Sequence, residues 1–210
     1  DPLSLVTQTL KLAQAVGAES IVVHLPLKAG RITVGLPQRR LFLPWFSPFG
    51  GVKRWLAEDL GRAQPHIPVN IAIENMPARQ RWGRRLDPAW WNTVEAWSRV
   101  HTRLTMDTTH LGTFGIDPLE AYLAAKDNIC HVHLSNFDGR EHRLPHKGRL
   151  NLAGLLTKMA EDGFAGTISL ELHPDALEFD DHHALTRNLR ESLAFCKEHL
   201  AGQTAPALRS

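Results

Sequence analysis

Two cysteines in 210 residues, Cys130 and Cys196, are too few for a disulfide scaffold or a cysteine-built zinc module. A reducing cytoplasm is therefore the default expectation. Nowhere do about 18 uncharged apolar residues run together, which excludes a transmembrane helix. The opening Asp1-Pro2, followed by polar and apolar residues at helical spacing, does not read as a signal peptide. Charge of one sign is also missing: the formal net charge is +2, which by itself suggests neither nucleic acid nor an acidic membrane as partner. No low-complexity tract or linker divides the chain. One domain over 1–200 is expected, with a frayed Gly/Ala/Pro tail at 201–210. Against these absences stand 43% apolar and 22% charged residues, enough to bury a core, and twelve histidines. The histidines matter only if the fold makes them converge.

Two hydrophobic periods alternate along the chain. Leu3, Val6, Leu10, Ala13 and Val16 form one helical stripe, with Gly17 a fitting stop. Ser20 to Leu25 is a continuous β-branched run suited to a parallel sheet covered on both faces. A long Gly/Pro/aromatic stretch follows, then a helical pattern at roughly 49–63. Val69 to Glu74, Arg103 to Asp107, Ile129 to Leu134 and Thr167 to Glu171 read as further strands. Asp87-Pro88 and Asp117-Pro118 each read as a helix start, Asp as N-cap and Pro at the first helical position. Asn151 to Ala160 and His183 to Leu200 complete the helices.

Strands alternating with helices imply right-handed βαβ units around a parallel sheet. No Gly-rich phosphate loop follows the first strand, as a dinucleotide fold would require. Each strand instead ends in a metal-binding side chain: His24, Glu74, Asp107, His133 and Glu171. Barrel active sites lie at the carboxyl ends of the strands. The expected fold is thus an α/β TIM (β/α)8-type barrel. Only about five βα units are visible, so the barrel is expected to be incomplete at the amino end. Exposed edges would then be covered by a homo-oligomer or a complementing chain.

Glu74, Asp107, His133 and Glu171 make a set of three carboxylates and one imidazole, donors that suit Mn²⁺, Mg²⁺, Co²⁺ or Zn²⁺. Around them occur, in order, Val-His24-Leu-Pro, Ile-Glu74-Asn-Met-Pro, Met-Asp107-Thr-Thr-His110-Leu-Gly and His131-Val-His133-Leu-Ser-Asn-Phe-Asp-Gly-Arg. Glu141-His142-Arg-Leu-Pro-His-Lys-Gly-Arg and Ser-Leu-Glu171-Leu follow. This order resembles the xylose isomerase-like TIM-barrel superfamily, which holds sugar (phosphate) isomerases and epimerases together with endonuclease IV. The resemblance runs from the first helix to the last.

The resemblance implies that Glu74, Asp107, His133 and Glu171 form the shared single-metal site. It implies that Glu74 and Glu171 exchange a proton with the substrate carbon, through an enediolate that the metal stabilises. His110 would hold substrate oxygens or a second metal. His24 and His142 correspond to positions that bind extra zinc in endonuclease IV. Arg140 departs from that pattern, which expects an aspartate there. The single-metal set is intact and the three-zinc set is not, so isomerase or epimerase chemistry on a carbohydrate is the first expectation. A zinc phosphodiesterase acting at abasic DNA sites is the alternative, and a truncated, non-catalytic barrel the third.

Other residues carry blander readings. His131 is read as structural, on the strand face opposite His133. His146 sits in a polar Arg/Lys-rich loop and is read as solvated. The Ala78-Arg-Gln-Arg-Trp-Gly-Arg-Arg85 segment admits a phosphate or nucleic-acid contact, but a solvated surface loop is preferred. Leu41 to Phe49 reads as a lid or as apolar packing. Trp90, Trp91 and Trp97 are expected on one helix, packing it.

Overall fold

The computed structural model describes residues 2–25, 27–36, 39–46, 54–100 and 103–201. It consists of two compact units, Asp1–Leu104 and Thr105–Ser210. The tail expected beyond 201 lies outside the described residues, as do residues 47–49 of the aromatic stretch. No described helix is long and apolar enough to cross a membrane.

In the first unit, helix α1 (Pro2–Ala15) ends where Gly17 takes φ +68°, a left-handed conformation that costs glycine little. Strand β1 (Ser20–His24) pairs in parallel with β4 (Asn70–Glu74). Their register runs from Ser20↔Asn70 to His24↔Glu74, so both strands end level. Between them lies an antiparallel hairpin, β2 (Ala29–Leu36) and β3 (Arg39–Phe46), where the sequence shows only a Gly/Pro/aromatic stretch. A π-helical turn at Trp55–Asp59 leads into α2 (Leu60–Ala63). Ile21, Leu25, Leu60, Val69, Ile71, Ile73, Ala13 and Ala89 form the core of this unit. The Gln64 side chain locks the entry to β4, donating to Val69 O at 3.0 Å and accepting from Ile71 N at 2.8 Å.

The expected helix start at Asp87-Pro88 is not one. Asp87 Oδ1 accepts from Ala89 N and from Asn92 Nδ2, both at 3.0 Å, and so closes a turn. Buried Asn92 then bonds both the N–H and the C=O of Met76 at 2.8 Å. Trp91 is left-handed at φ +52°, which no helix accommodates. Helix α3 therefore begins only at Val94 and ends at Val100. Of the three tryptophans only Trp97 is on it, 1% exposed, while Trp90 lies beneath the Lys28 ammonium. The arginine-rich segment is also not a plain loop. It forms a second hairpin, β5 (Arg79–Arg81) and β6 (Arg84–Leu86).

In the second unit the strand order is β7 (Leu104–Asp107, its first residue the last of the first unit), β8 (Ile129–Leu134) and β9 (Thr167–Leu170). β8 and β9 pair in parallel, from His131↔Thr167 to Leu134↔Leu170. Helix α4 (Thr108–Phe114) starts straight from β7, and Gly115 ends it at φ +76°. Helix α5 (Pro118–Ala125) opens as the sequence predicts, with Asp117 accepting from Leu119 N at 2.9 Å and Pro at the first position. Helix α6 (Leu152–Glu161), capped by Asn151, buries Leu152, Leu155, Leu156 and Met159, a spacing of three and four. Each such burial stabilises by roughly 1.5–3 kcal/mol. Helices α7 (Pro174–Leu177) and α8 (His182–Leu200) close the unit, the latter capped by Asp181. The five strands β1, β4, β7, β8 and β9 thus carry the β/α alternation expected of part of a barrel.

Candidate metal centre

The strands of the second unit bring three predicted ligands together. β7 ends on Asp107, which is wholly buried. Its Oδ1 accepts the backbone N–H of His110 at 2.8 Å, capping α4, while Oδ2 lies 3.9 Å from His133 Nδ1 and 3.7 Å from His110 Nδ1. His133 is the penultimate residue of β8. Glu171 stands one residue past β9, where its N–H still reaches Leu134 O at 3.3 Å. Glu171 Oε2 is 2.8 Å from His133 Nδ1. The hydrogen bond from His133 holds the Glu171 carboxyl down at about 2; burial opposes this, and the neighbouring His133, His142 and His110 charges assist.

The donor atoms of Asp107, His133 and Glu171 all lie within 4.8 Å of one another. A divalent cation holds nitrogen and oxygen at about 2.0–2.2 Å, so donors about 4 Å apart can share one. Hard carboxylates with one imidazole are also the right chemistry for such an ion. These residues fit a metal.

A second group adjoins the first through His110. The donor atoms of His110, Glu141 and His142 likewise lie within 4.8 Å of one another, with His110 Nε2 3.8 Å from Glu141 Oε2. His142 sits at φ +57°, a left-handed backbone that few non-glycine residues adopt. Three contacts hold it there. Its N–H donates to Thr109 Oγ1 at 3.2 Å, its C=O accepts from His173 N at 2.9 Å, and its Nδ1 lies 3.4 Å from Ser135 Oγ. Thr109 in turn donates to Asn136 O at 3.1 Å, and Thr108 donates to Ser135 O at 2.7 Å. The Thr-Thr and Ser-Asn pairs of the two motifs therefore brace the histidines beside them. Sequence reasoning passed over these roles and Glu141, whose one signal is its place next to His142.

In the first unit the two level strand ends meet. His24 Nε2 lies 3.1 Å from Glu74 Oε2; the carboxylate is buried and the imidazole 70% exposed. Arg140 is exposed and pairs with Asp138 at 3.6 Å, so its described partner is not a site residue. His146 lies 3.4 Å from Glu191 and against the Phe195 ring, apart from both groups. The expectation that His131 and His133 face opposite ways is wrong. Residues two apart on a strand share a face, and these two rings meet edge to face at 5.0 Å. His131 Nε2 also lies 3.0 Å from Ser169 Oγ, the residue paired with His133, so His131 stands beside His133.

Comparison with known proteins bears on the fold. Uncharacterized proteins of Mycobacterium tuberculosis and Mycobacterium leprae are 23% and 24% identical to this chain, each over 95% of it and 71% of their own length. Among solved structures, the 3-keto-D-glucoside 4-epimerase of E. coli superposes with a TM-score of 0.59 at 19% identity, over 90% of this chain and 67% of that one. An L-ribulose 3-epimerase gives 0.59 at 15% identity, over 97% and 71%. A D-tagatose 3-epimerase-like protein gives 0.58 at 20%, over 90% and 67%. At these identities the likeness is one of fold. The family model of the xylose isomerase-like TIM barrel matches residues 2–199, and the chain belongs to that family.

Proposed function

We propose that this protein is a divalent-metal-dependent epimerase or isomerase of a sugar or sugar phosphate. The observation that carries the reading is the convergence of Asp107, His133 and Glu171 at the ends of three successive strands. The sugar epimerases among the structural neighbours support it at the level of fold. Asp107, His133 and Glu171 would hold the ion, with Glu74 as fourth ligand from the end of its own strand. A divalent ion bound there supplies Lewis acidity beside a substrate carbonyl, which acidifies the neighbouring C–H.

Glu171 and Glu74 are then the proton-handling pair. Glu171, ionised at neutral pH, takes the proton from the carbon; the C–H electron pair moves into the adjacent carbonyl to give the enediolate. Glu74 would serve as the acid that returns a proton to the enediolate carbon and inverts the centre. His110 and His142 would hydrogen-bond to substrate hydroxyls. The test is solvent exchange. With Mn²⁺ or Co²⁺ added, a 2-ketohexose incubated in D₂O is expected to gain deuterium at the exchanging carbon. Glu171→Gln is expected to abolish that gain and weaken metal uptake while the circular dichroism is kept. Full exchange by that variant would overturn the assignment.

A phosphodiesterase acting at abasic sites is the second reading, and the His110–Glu141–His142 group favours it as a further metal position. The metal count separates the two: one ion per chain supports the epimerase, two or three the phosphodiesterase.

A further inference from the structure

One layer below the candidate ligands, the strands of the second unit carry polar side chains. Thr105 and His131 stand two residues before Asp107 and His133, and Ser169 two before Glu171. Residues two apart on a strand share a face. Barrel interiors are ordinarily filled at such positions by Val, Ile and Leu. A core chosen for packing alone would not bury the Thr105 hydroxyl: the residue is 1% exposed, and its Oγ1 has no hydrogen-bond partner among the described residues.

His131 and Ser169 form a tie across the two strands. In the β8–β9 register Ser169 lies opposite His133, so His131 meets it along the diagonal, a separation that calls for a long side chain. Its Nε2 reaches Ser169 Oγ at 3.0 Å, one rung below the 2.8 Å contact between His133 and Glu171. The anchored ring then stands edge to face against His133, with centroids 5.0 Å apart and planes at 88°. Pairs of this geometry attract, and the wall limits how far the His133 ring can turn. That matters because His133 Nδ1 faces Glu171 Oε2 and, at 3.9 Å, Asp107 Oδ2. A rotation would carry the nitrogen out of the donor set.

We propose that His131, anchored by Ser169, is a positioning residue for the metal centre. It keeps the His133 imidazole turned toward Asp107 and Glu171, so that the donor set is formed before an ion arrives. The inference rests on the metal-binding reading above and deepens it. Groups that hold a ligand's orientation in this way are worth roughly 10- to 100-fold in metal affinity.

Calorimetric titration of Mn²⁺ into the metal-free full chain tests this. His131→Leu keeps most of the side-chain volume but loses the bond, and its Kd for Mn²⁺ is expected to rise roughly 10- to 100-fold. His131→Gln keeps a planar group with an N–H for Ser169 and should recover most of the affinity. Ser169→Ala removes the anchor and spares both rings; it should weaken binding about fivefold, the worth of one hydrogen bond. The melting temperature of each metal-free variant separates positioning from stability. A lowered melting temperature with unchanged Mn²⁺ affinity is the mark of a structural residue and overturns the proposal. So does a His131→Gln variant that binds no better than His131→Leu. Equal affinity in His131→Leu and the wild type overturns it too, and leaves the metal-binding reading standing. A wild type that takes up no Mn²⁺ removes that reading and this inference together.

Discussion

Glu171 has its carboxyl held near 2 by the His133 hydrogen bond. Because the folded value is depressed, the pair's contribution to stability is present above the ordinary value of 4.5. It is lost as pH falls from there through about 2. The carboxyl carbon signal of Glu171 in the metal-free protein should accordingly titrate near pH 2, and His133→Ala should return it toward 4.5. Gly148 makes a different point. A Cβ there would lie 2.1 Å from Asn136 Oδ1. Asn136 cannot swing away cheaply, since that oxygen accepts from Phe137 N and Leu150 N and its Nδ2 donates to Pro145 O. Gly148→Ala is expected to destabilise by about 1–3 kcal/mol, read by denaturant unfolding. Asp107, His133 and Glu171 were legible as candidate ligands because each lies at, or within one residue of, the end of a strand that reads as a short apolar run. Glu141 was not, because a carboxylate inside an irregular loop has no period to place it, and its approach to His110 depends on the left-handed turn at His142.

At the scale of elements, Asp-Pro announces a helix only when nothing nearby competes for the carboxylate. Asp117 has no rival and caps α5. Asp87 is claimed by Asn92, whose amide also pairs with both backbone groups of Met76, and the result is a turn. Asp117→Ala should therefore cost about 1 kcal/mol through lost capping. Asn92→Ala should cost more, because it leaves Met76's part-buried backbone groups without their amide partner. Comparing the two unfolding midpoints checks the order. The five parallel strands, α6, α8 and the start of α5 were readable to within a residue or two from periodicity and caps. The two hairpins were not: their sequences carry arginine, tryptophan and proline in place of alternation, and backbone pairing alone defines them.

On the scale of the whole molecule, a bound ion is linked to stability. An ion at 100 times its dissociation constant adds about 2.7 kcal/mol when only the folded state binds it. Mn²⁺ titrated into the metal-free protein should raise the melting temperature by several degrees. His133→Ala should abolish that rise. An identical rise in the variant would place the ion elsewhere.

Asp107 faces two ways with one side chain. One oxygen closes the first turn of α4 and the other faces the two imidazoles. A lineage drifting away from metal use could discard Glu171 at little cost to its backbone, yet not Asp107, whose loss would fray a buried helix. Among diverged relatives, then, this aspartate should persist for the helix it caps, and its persistence alone should never be taken as proof of an activity.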